Sequence, residues 1–249
     1  MRRETHTRPV AAQARVRRGY FECRYGQLHV HNSIPPGGGF EEAAPLLCLH
    51  DCPGSGRVFA RFLALAGRDR SVYAPDLPGF GESDPPPGVA AIEDYAAAIG
   101  DFLDSMRLRR LDILGQRVGA LIGTELAVTR PRQIGRLVMV SAPLLTAEER
   151  RAAARAPPSP APGDGLLSAG DGQGWLEVAA AQYPLRERLA HLTQRLLVLR
   201  PHDDLWEATG RVRDVLPAAR LLELEPSGQE LFASAAAGAA DTVREFLQG

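Results

Sequence analysis

An arginine stands at the centre of residues 115–119, which read GQRVG and join an apolar run to a helix-forming run. The guanidinium of this residue, Arg117, stays protonated in proteins and carries only hydrogen-bond donors. It is therefore suited to binding a carboxylate or stabilising an enolate-like anion, and it cannot attack a carbonyl carbon. We predict Arg117 as a catalytic residue.

Six further side chains are predicted to line a substrate pocket, because they flank Arg117 or stand in loops that follow apolar runs. They are Asp51, Cys52, Phe80, Gln116, Val118 and His202. Cysteine is the better intrinsic nucleophile among the residues that carry out covalent catalysis. A Cys52–His202 dyad is therefore an alternative source of chemistry, although Cys52 is equally well explained as a small pocket-lining residue.

Alternating apolar and turn-rich segments predict the elements that must position these side chains. The predicted strands are two within 19–34, then 45–49, 71–74, 111–114, 136–141, 194–199 and 220–224. The predicted helices are 58–66, 92–106, 118–129, 147–155, 175–182, 206–216 and 237–247. Strands that alternate with helices favour an α/β fold, with about eight mostly parallel strands and helices on both faces. In the second strand, His29 and His31 share a face that we predict to be solvated.

The composition excludes several classes of function. The chain has 249 residues, of which 45% are hydrophobic, enough for one large core, and a net charge of −1. A net charge so close to zero gives no general affinity for nucleic acid. No apolar run reaches the roughly 18 residues of a membrane span, so we expect neither nucleic acid nor a membrane as a partner. All 29 basic residues are arginine, which excludes a Schiff-base or P-loop lysine. The three cysteines have neither a metal-binding spacing nor the arrangement of a disulfide framework. We therefore expect no metal, no cofactor and a location in the reducing cytoplasm.

Two segments differ in composition from the rest of the chain. Residues 1–18 are rich in arginine and lack a following apolar stretch, so we expect a disordered basic tail and not a secretory signal. Residues 144–192 interrupt the strand–helix pattern and are predicted to form a short cap over a core of residues 19–143 and 193–249. Within the cap, residues 156–174 are rich in Gly, Pro, Ala and Ser, and we expect them to be the most mobile internal segment.

Five motifs in this order resemble those of the α/β-hydrolase fold family. Residues 115–119 have the glycine spacing of its nucleophile elbow, Gly-x-Ser-x-Gly, between strand and helix. Residues 50–53 resemble the family's His-Gly-x-Pro loop, and residues 75–84 its Asp-x-Pro-Gly-x-Gly-x-Ser loop. Residues 200–206 and 226–232 are similar to the loops that carry its triad acid and its triad histidine. The resemblance implies an eight-stranded α/β-hydrolase core with a cap.

The same comparison places unusual residues at the family's catalytic positions. Arg117 stands where the family has its serine nucleophile, Gln229 where it has the histidine base, and Asp51 where it has the oxyanion-loop glycine. Asp204 matches the triad acid, so the resemblance implies that Asp204 and Gln229 join Arg117 as catalytic residues and shape proton or hydrogen-bond traffic beside it. Since acyl transfer needs a nucleophile, a base and an oxyanion hole, the resemblance implies the fold without the family's hydrolysis. We expect Arg117 to form a charge-assisted hydrogen bond to Asp51, with Asp204 as the alternative carboxylate.

Two functions follow from this pattern. In the first, the protein is a non-hydrolytic lyase, cyclase, isomerase or decarboxylase in a bacterial biosynthetic pathway. Its substrate would carry a carboxylate or an enolisable carbonyl, which Arg117 would bind. In the second, it is a pseudoenzyme that binds a small molecule or a partner subunit, and a homodimer is one way to cover a pocket with so short a cap. An unusual hydrolase that uses Cys52 and His202 is a third possibility.

Overall fold

The structure is a computed structural model that describes residues 14–36, 43–155, 172–225, 228 and 230–249. Its described residues contain one eight-stranded sheet with the order β1-β2-β4-β3-β5-β6-β7-β8. The strands are β1 Arg15–Cys23, β2 Gly26–Ile34, β3 Leu46–Leu49, β4 Val72–Pro75, β5 Leu111–Gln116, β6 Ile134–Val140, β7 Arg195–Pro201 and β8 Arg220–Leu224. The β1–β2 and β2–β4 pairs are antiparallel, and the pairs from β4 to β8 are parallel. The predicted sheet is confirmed.

Helices cover both faces of the sheet. They are α1 Ala60–Ala66, α2 Ile92–Ser105, α3 Val118–Thr129, α4 Ala147–Ala153, α5 Gly172–Gln182, α6 Leu185–Ala190, α7 Trp206–Gly210, α8 Val212–Val215 and α9 Ala236–Gln248. A 3₁₀ turn, Gly56–Phe59, precedes α1. One apolar core lies under α2 and α3 and the other under α1 and α9. Apolar strands buried on both faces are what such a covered, mostly parallel sheet requires.

Two local predictions were wrong. His29 and His31 are buried, although the alternation in β2 placed them on a solvated face. That face is covered by the loop after β3, where Gly56 packs against the His31 ring, and by Asp76. The single helix predicted over 206–216 is two short helices, α7 and α8. α7 ends at Gly210, whose backbone entropy disfavours a continuous helix, and the break falls at Arg211.

Between β6 and β7 the described residues form α4, α5 and α6. Glu125 on α3, which is buried, accepts a hydrogen bond of 2.8 Å from the Tyr183 hydroxyl and lies 3.1 Å from Arg188 Nε. These contacts fix α6 against α3. The division into core and cap remains a prediction. Residues 156–171, which make up most of the segment predicted to be mobile, and residues 1–13 of the basic tail lie outside the described residues. None of the described helices has the length and apolarity that crossing a membrane would demand.

Candidate functional site

The site is built around a sharp turn at the carboxyl end of β5. Arg117 lies between β5 and α3 with φ 49° and ψ −108°, a conformation that L-residues rarely adopt and that is typical of a strained functional turn. The turn requires glycine on both sides. A Cβ on Gly115 would lie 2.4 Å from the Gly119 carbonyl oxygen, and one on Gly119 would lie 2.1 Å from the Leu49 carbonyl oxygen. The two glycines therefore let the start of α3 rest directly on β3 and β5.

Three carboxylates surround the guanidinium of Arg117. Asp204 accepts a bidentate pair of hydrogen bonds from it, 2.7 Å from Nη1 and 2.9 Å from Nη2. Asp51 Oδ2 lies 3.0 Å from Nε, and Asp203 Oδ2 lies 3.9 Å from Nη1. The predicted ion pair with Asp51 is therefore present, and the supposed alternative, Asp204, is engaged at the same time. With three carboxylates around one guanidinium, the cluster is more acidic than basic.

Asp51 also occupies a backbone donor at the turn. Its Oδ1 accepts a hydrogen bond of 3.4 Å from the N–H of Val118, the residue after Arg117, and the Cys52 N–H acts on the pKa of the same carboxyl group. Burial raises the pKa of Asp51 to about 6, although the Arg117 charge and these donors oppose the shift. The hydrogen bond from Arg117 lowers the pKa of Asp204, whose side chain is 71% exposed.

Asp203 is a site residue that the sequence prediction missed. The hydroxyl of Ser141, which directly follows β6, donates a 2.5 Å hydrogen bond to Asp203 Oδ2. Gln116 donates a hydrogen bond of 3.0 Å to the Gly228 carbonyl oxygen, and a Cβ on Gly228 would lie 3.0 Å from Asp203 Oδ2. The loop that carries position 229 therefore reaches this cluster. Gln229 itself lies outside the described residues. The role of Asp203 could have been inferred from the sequence, because Asp203 and Asp204 are adjacent and follow a buried strand.

The remaining predicted residues separate into two places. Cys52 is partly buried against the apolar core under α2 and α3, and burial raises the pKa of its thiol well above the usual range. His202 is exposed and stacks on Trp206, with ring centroids 4.1 Å apart. In the described part of the chain the two side chains share no hydrogen bond, so no dyad is formed. Phe80 is buried, with its ring edge-on to the His50 ring.

His50 is a structural residue beside the site. It is fully buried, and its Nε2 accepts a 2.8 Å hydrogen bond from the Leu77 N–H, so Nδ1 carries the proton and donates to the Asp51 carbonyl oxygen at 2.7 Å. Burial lowers the pKa of His50, which keeps the ring neutral. This ring ties the loop after β3 to the loop after β4 and so fixes the backbone of Asp51.

A cavity of about 110 Å³ lies apart from the elbow, between α4 and α6. Leu144, Tyr183, Arg186 and Arg211 contribute to its lining, and no predicted site residue does. Another group of side chains away from the elbow, His29, His31 and Asp76, brings three potential metal ligands together. Neither feature belongs to the ion cluster around Arg117.

Comparison with known proteins agrees with the observed fold. The family model described as the alpha/beta hydrolase fold matches residues 44–163. A haloalkane dehalogenase of Mycolicibacterium paratuberculosis is 31% identical over 115 residues, which are 44% of this chain and 37% of the relative. A 2-hydroxy-6-oxo-2,4-heptadienoate hydrolase of Pseudomonas putida is 34% identical over 76 residues, 30% of this chain and 28% of the relative. The matched stretches thus span well under half of these curated relatives.

Solved structures extend the likeness of fold over nearly the whole chain. An enol-lactonase from Burkholderia xenovorans superposes with a TM-score of 0.75 at 18% identity, covering 93% of this chain and 100% of the other. An esterase from Thermogutta terrifontis gives a TM-score of 0.74, also at 18% identity, over 93% of this chain and 98% of the other. At this identity the likeness concerns the fold. The chain therefore has the α/β-hydrolase fold, and its sequence carries arginine at the elbow and glutamine where the resembled family has its histidine.

Proposed function

We propose that this protein is a pseudoenzyme of the α/β-hydrolase fold, which binds a small molecule at the carboxyl edge of its sheet without hydrolysing it. The observation that carries the proposal is the position of Asp51. In this fold the oxyanion hole uses the N–H of the residue after the nucleophile and an N–H of the loop after β3. Here the Asp51 carboxylate accepts a hydrogen bond from the first of these groups, the Val118 N–H, and the Cys52 N–H of the loop after β3 lowers the pKa of the same carboxyl group.

A carboxylate in this place opposes acyl transfer in two ways. It occupies the Val118 N–H, a donor that would stabilise an oxyanion, and it adds negative charge where the transition state would develop more. The guanidinium that replaces the nucleophile is itself held by Asp204 and Asp51. The polar groups of the site therefore satisfy one another, which supports a stable binding surface more than a reactive centre.

The direct experiment combines a search for turnover with a search for a bound molecule. Native mass spectrometry of protein purified without added ligand should show a co-purified small molecule that denaturation releases unchanged. The same preparation should not cleave p-nitrophenyl acetate or butyrate faster than a denatured control. Cleavage that Arg117→Ala or Cys52→Ala abolishes would contradict the proposal, as would a protein whose released molecule is chemically converted during incubation.

A second candidate function rests on the exposure of Asp204. Its side chain is 71% exposed, so a carboxylate on a substrate could displace it and take over both Nη donors of Arg117. Bidentate binding of this kind is strong and geometrically specific. The protein would then be a lyase, cyclase, isomerase or decarboxylase that acts on a carboxylate or an enolisable carbonyl compound.

Asp204→Ala tests the carboxylate binding on which this second function depends, with Asp241→Ala, which removes an exposed partner of Arg244, as the matched control. The enzyme hypothesis predicts that Asp204→Ala, and not the control, binds small carboxylates such as benzoate or malonate at least about tenfold tighter, because the competing internal carboxylate is gone. Unchanged carboxylate binding in both variants would contradict this second function.

A further inference from the structure

Two histidines of β2 meet a buried aspartate that follows β4, close to the edge of the sheet that β1 forms. His29 pairs across the sheet with the segment that follows β4, since the Asp76 N–H donates to the His29 carbonyl oxygen. His29 and His31 are two residues apart on β2 and so point to the same face. His29 Nδ1 lies 2.9 Å from Asp76 Oδ2, and His31 Nε2 lies 3.9 Å from Asp76 Oδ1. One ligand atom from each lies within 4.8 Å of the other two.

The His31 side chain is buried without a hydrogen bond among the residues that the structure describes. Its exposed fraction is 8%, and its nearest charged partner, Asp76, is 3.9 Å away, beyond hydrogen-bonding distance. Two ligands that each lie roughly 2.1 Å from one tetrahedral metal ion stand about 3.4 Å apart. The observed separations of 2.9 and 3.9 Å fall on either side of this value.

We propose that His29, His31 and Asp76 form a binding site for one divalent transition-metal ion, with Zn²⁺ as the favoured occupant. Two imidazoles and one carboxylate are a common ligand set for such ions and leave a further position for water. The site is separate from the ion cluster around Arg117 and does not depend on the proposed function.

The carboxylate that would bind the ion is already held in place. Asp76 Oδ1 accepts a 2.7 Å hydrogen bond from the Gly56 N–H, and Oδ2 accepts one of 2.9 Å from the Glu82 N–H. Such outer partners orient a ligand and are part of a working metal site. A bound ion would therefore link β2, the loop after β3 and the loop after β4.

The charges around the site are balanced. Glu82 is hydrogen-bonded to the Tyr20 hydroxyl, and the Tyr20 ring lies over His29 with centroids 5.1 Å apart. Arg18 lies opposite His31 on β1, and Arg57 also acts on His31 electrostatically. Affinity would come from the ligand bonds and not from a general attraction of cations, so the site should prefer Zn²⁺ and Co²⁺ to Mg²⁺ and Ca²⁺.

Zn²⁺ titration of the full chain by calorimetry, after treatment with EDTA, tests the proposal. We expect one ion per chain, a higher melting temperature with Zn²⁺, and visible absorption when Co²⁺ replaces it. His31→Ala should bind at least about tenfold more weakly, the lower end of the loss seen even for outer-shell partners. His202→Ala, which removes an exposed imidazole, and His6→Ala should bind like the wild type.

Circular dichroism in EDTA checks that His31→Ala is folded, and His31→Gln, which keeps a polar side chain, replaces it if it is not. Three results would overturn the proposal: no Zn²⁺ binding by the wild type, equal binding by the wild type and the folded His31 variant, or binding that His6→Ala or His202→Ala abolishes. Preference for Mg²⁺ over Zn²⁺ would also contradict it.

Discussion

The Asp51 carboxylate oxygen lies 3.4 Å from the Val118 amide nitrogen, so an internal anion takes the donor that this fold ordinarily offers to a substrate oxyanion. Asp51 and Arg117 also lie 3.0 Å apart. Asp51 therefore supplies the negative charge that the partly buried guanidinium of Arg117 needs. This relationship explains how an elbow can hold a guanidinium at a strained turn, and each part of it can be tested.

The first prediction concerns restoration of hydrolysis. Arg117→Ser alone and Gln229→His alone should leave p-nitrophenyl acetate cleavage at the background rate, because the residues of a triad act as a unit. The triple change Asp51→Gly, Arg117→Ser, Gln229→His restores the nucleophile, the base and the oxyanion-loop glycine together. We expect it to exceed each single variant. Equal rates in the triple and single variants, with all of them folded, would show that more than these three positions separates this site from a hydrolase.

The second prediction follows from the raised pKa of Asp51, which burial moves to about 6. An unfolded aspartate titrates near 3.9, so between about pH 4 and 6 the folded protein binds more protons than the unfolded chain. The free energy of unfolding contributed by this group is therefore full below about pH 4 and is lost as the pH rises through 6, by at most about 3 kcal/mol. Asp51→Asn should lack this loss.

Urea unfolding of the wild type and Asp51→Asn at pH 4.5 and pH 7 measures the effect. Asp204→Asn, compared with the wild type at pH 3 and pH 5, is the control of opposite sign: the folded pKa of Asp204 is lowered, so its contribution is present above about pH 4 and is lost on acidification. A stability difference between wild type and Asp51→Asn that does not change with pH would mean that Asp51 is ionised throughout.

The sequence predicted most of the fold because its apolar runs are long and its turns carry Gly and Pro at diagnostic places. It failed where burial depends on what covers a strand. The alternation in β2 correctly placed His29 and His31 on one face, but nothing local shows that Gly56 and Asp76 close over that face. The Arg117–Asp51 pair was predictable because the two residues stand at special positions of two motifs that the resembled fold places side by side. Asp203 enters the cluster through its contact with Ser141, which joins two strand ends far apart in sequence, and the neighbouring Asp204 alone could have pointed to it.

The third prediction concerns the attachment of α6 to α3. Tyr183→Phe removes the hydroxyl that donates to the buried Glu125 carboxylate, and we expect a loss of about 1–2 kcal/mol in the free energy of unfolding. Tyr20→Phe is a matched control, because its hydroxyl bonds to the exposed Glu82 and its removal should cost well under about 1 kcal/mol. Denaturant unfolding measures both. Equal losses in the two variants would show that burial of Glu125 contributes nothing.

The last prediction tests whether Asp51 and Arg117 compensate each other. Arg117→Ser leaves the partly buried Asp51 without its nearest cation, so we expect a loss of about 1–3 kcal/mol. Asp204→Asn removes the more exposed partner and should cost no more than about 1 kcal/mol. The double change Asp51→Gly with Arg117→Ser removes both charges, and it should recover much of the loss even though glycine adds backbone entropy to the unfolded chain. Urea unfolding of the wild type, Asp51→Gly, Arg117→Ser and the double variant gives the coupling energy, because the two residues are in contact and their effects should not add. If the double variant is no more stable than Arg117→Ser, the two replacements do not compensate, and the contact between them contributes no net stability.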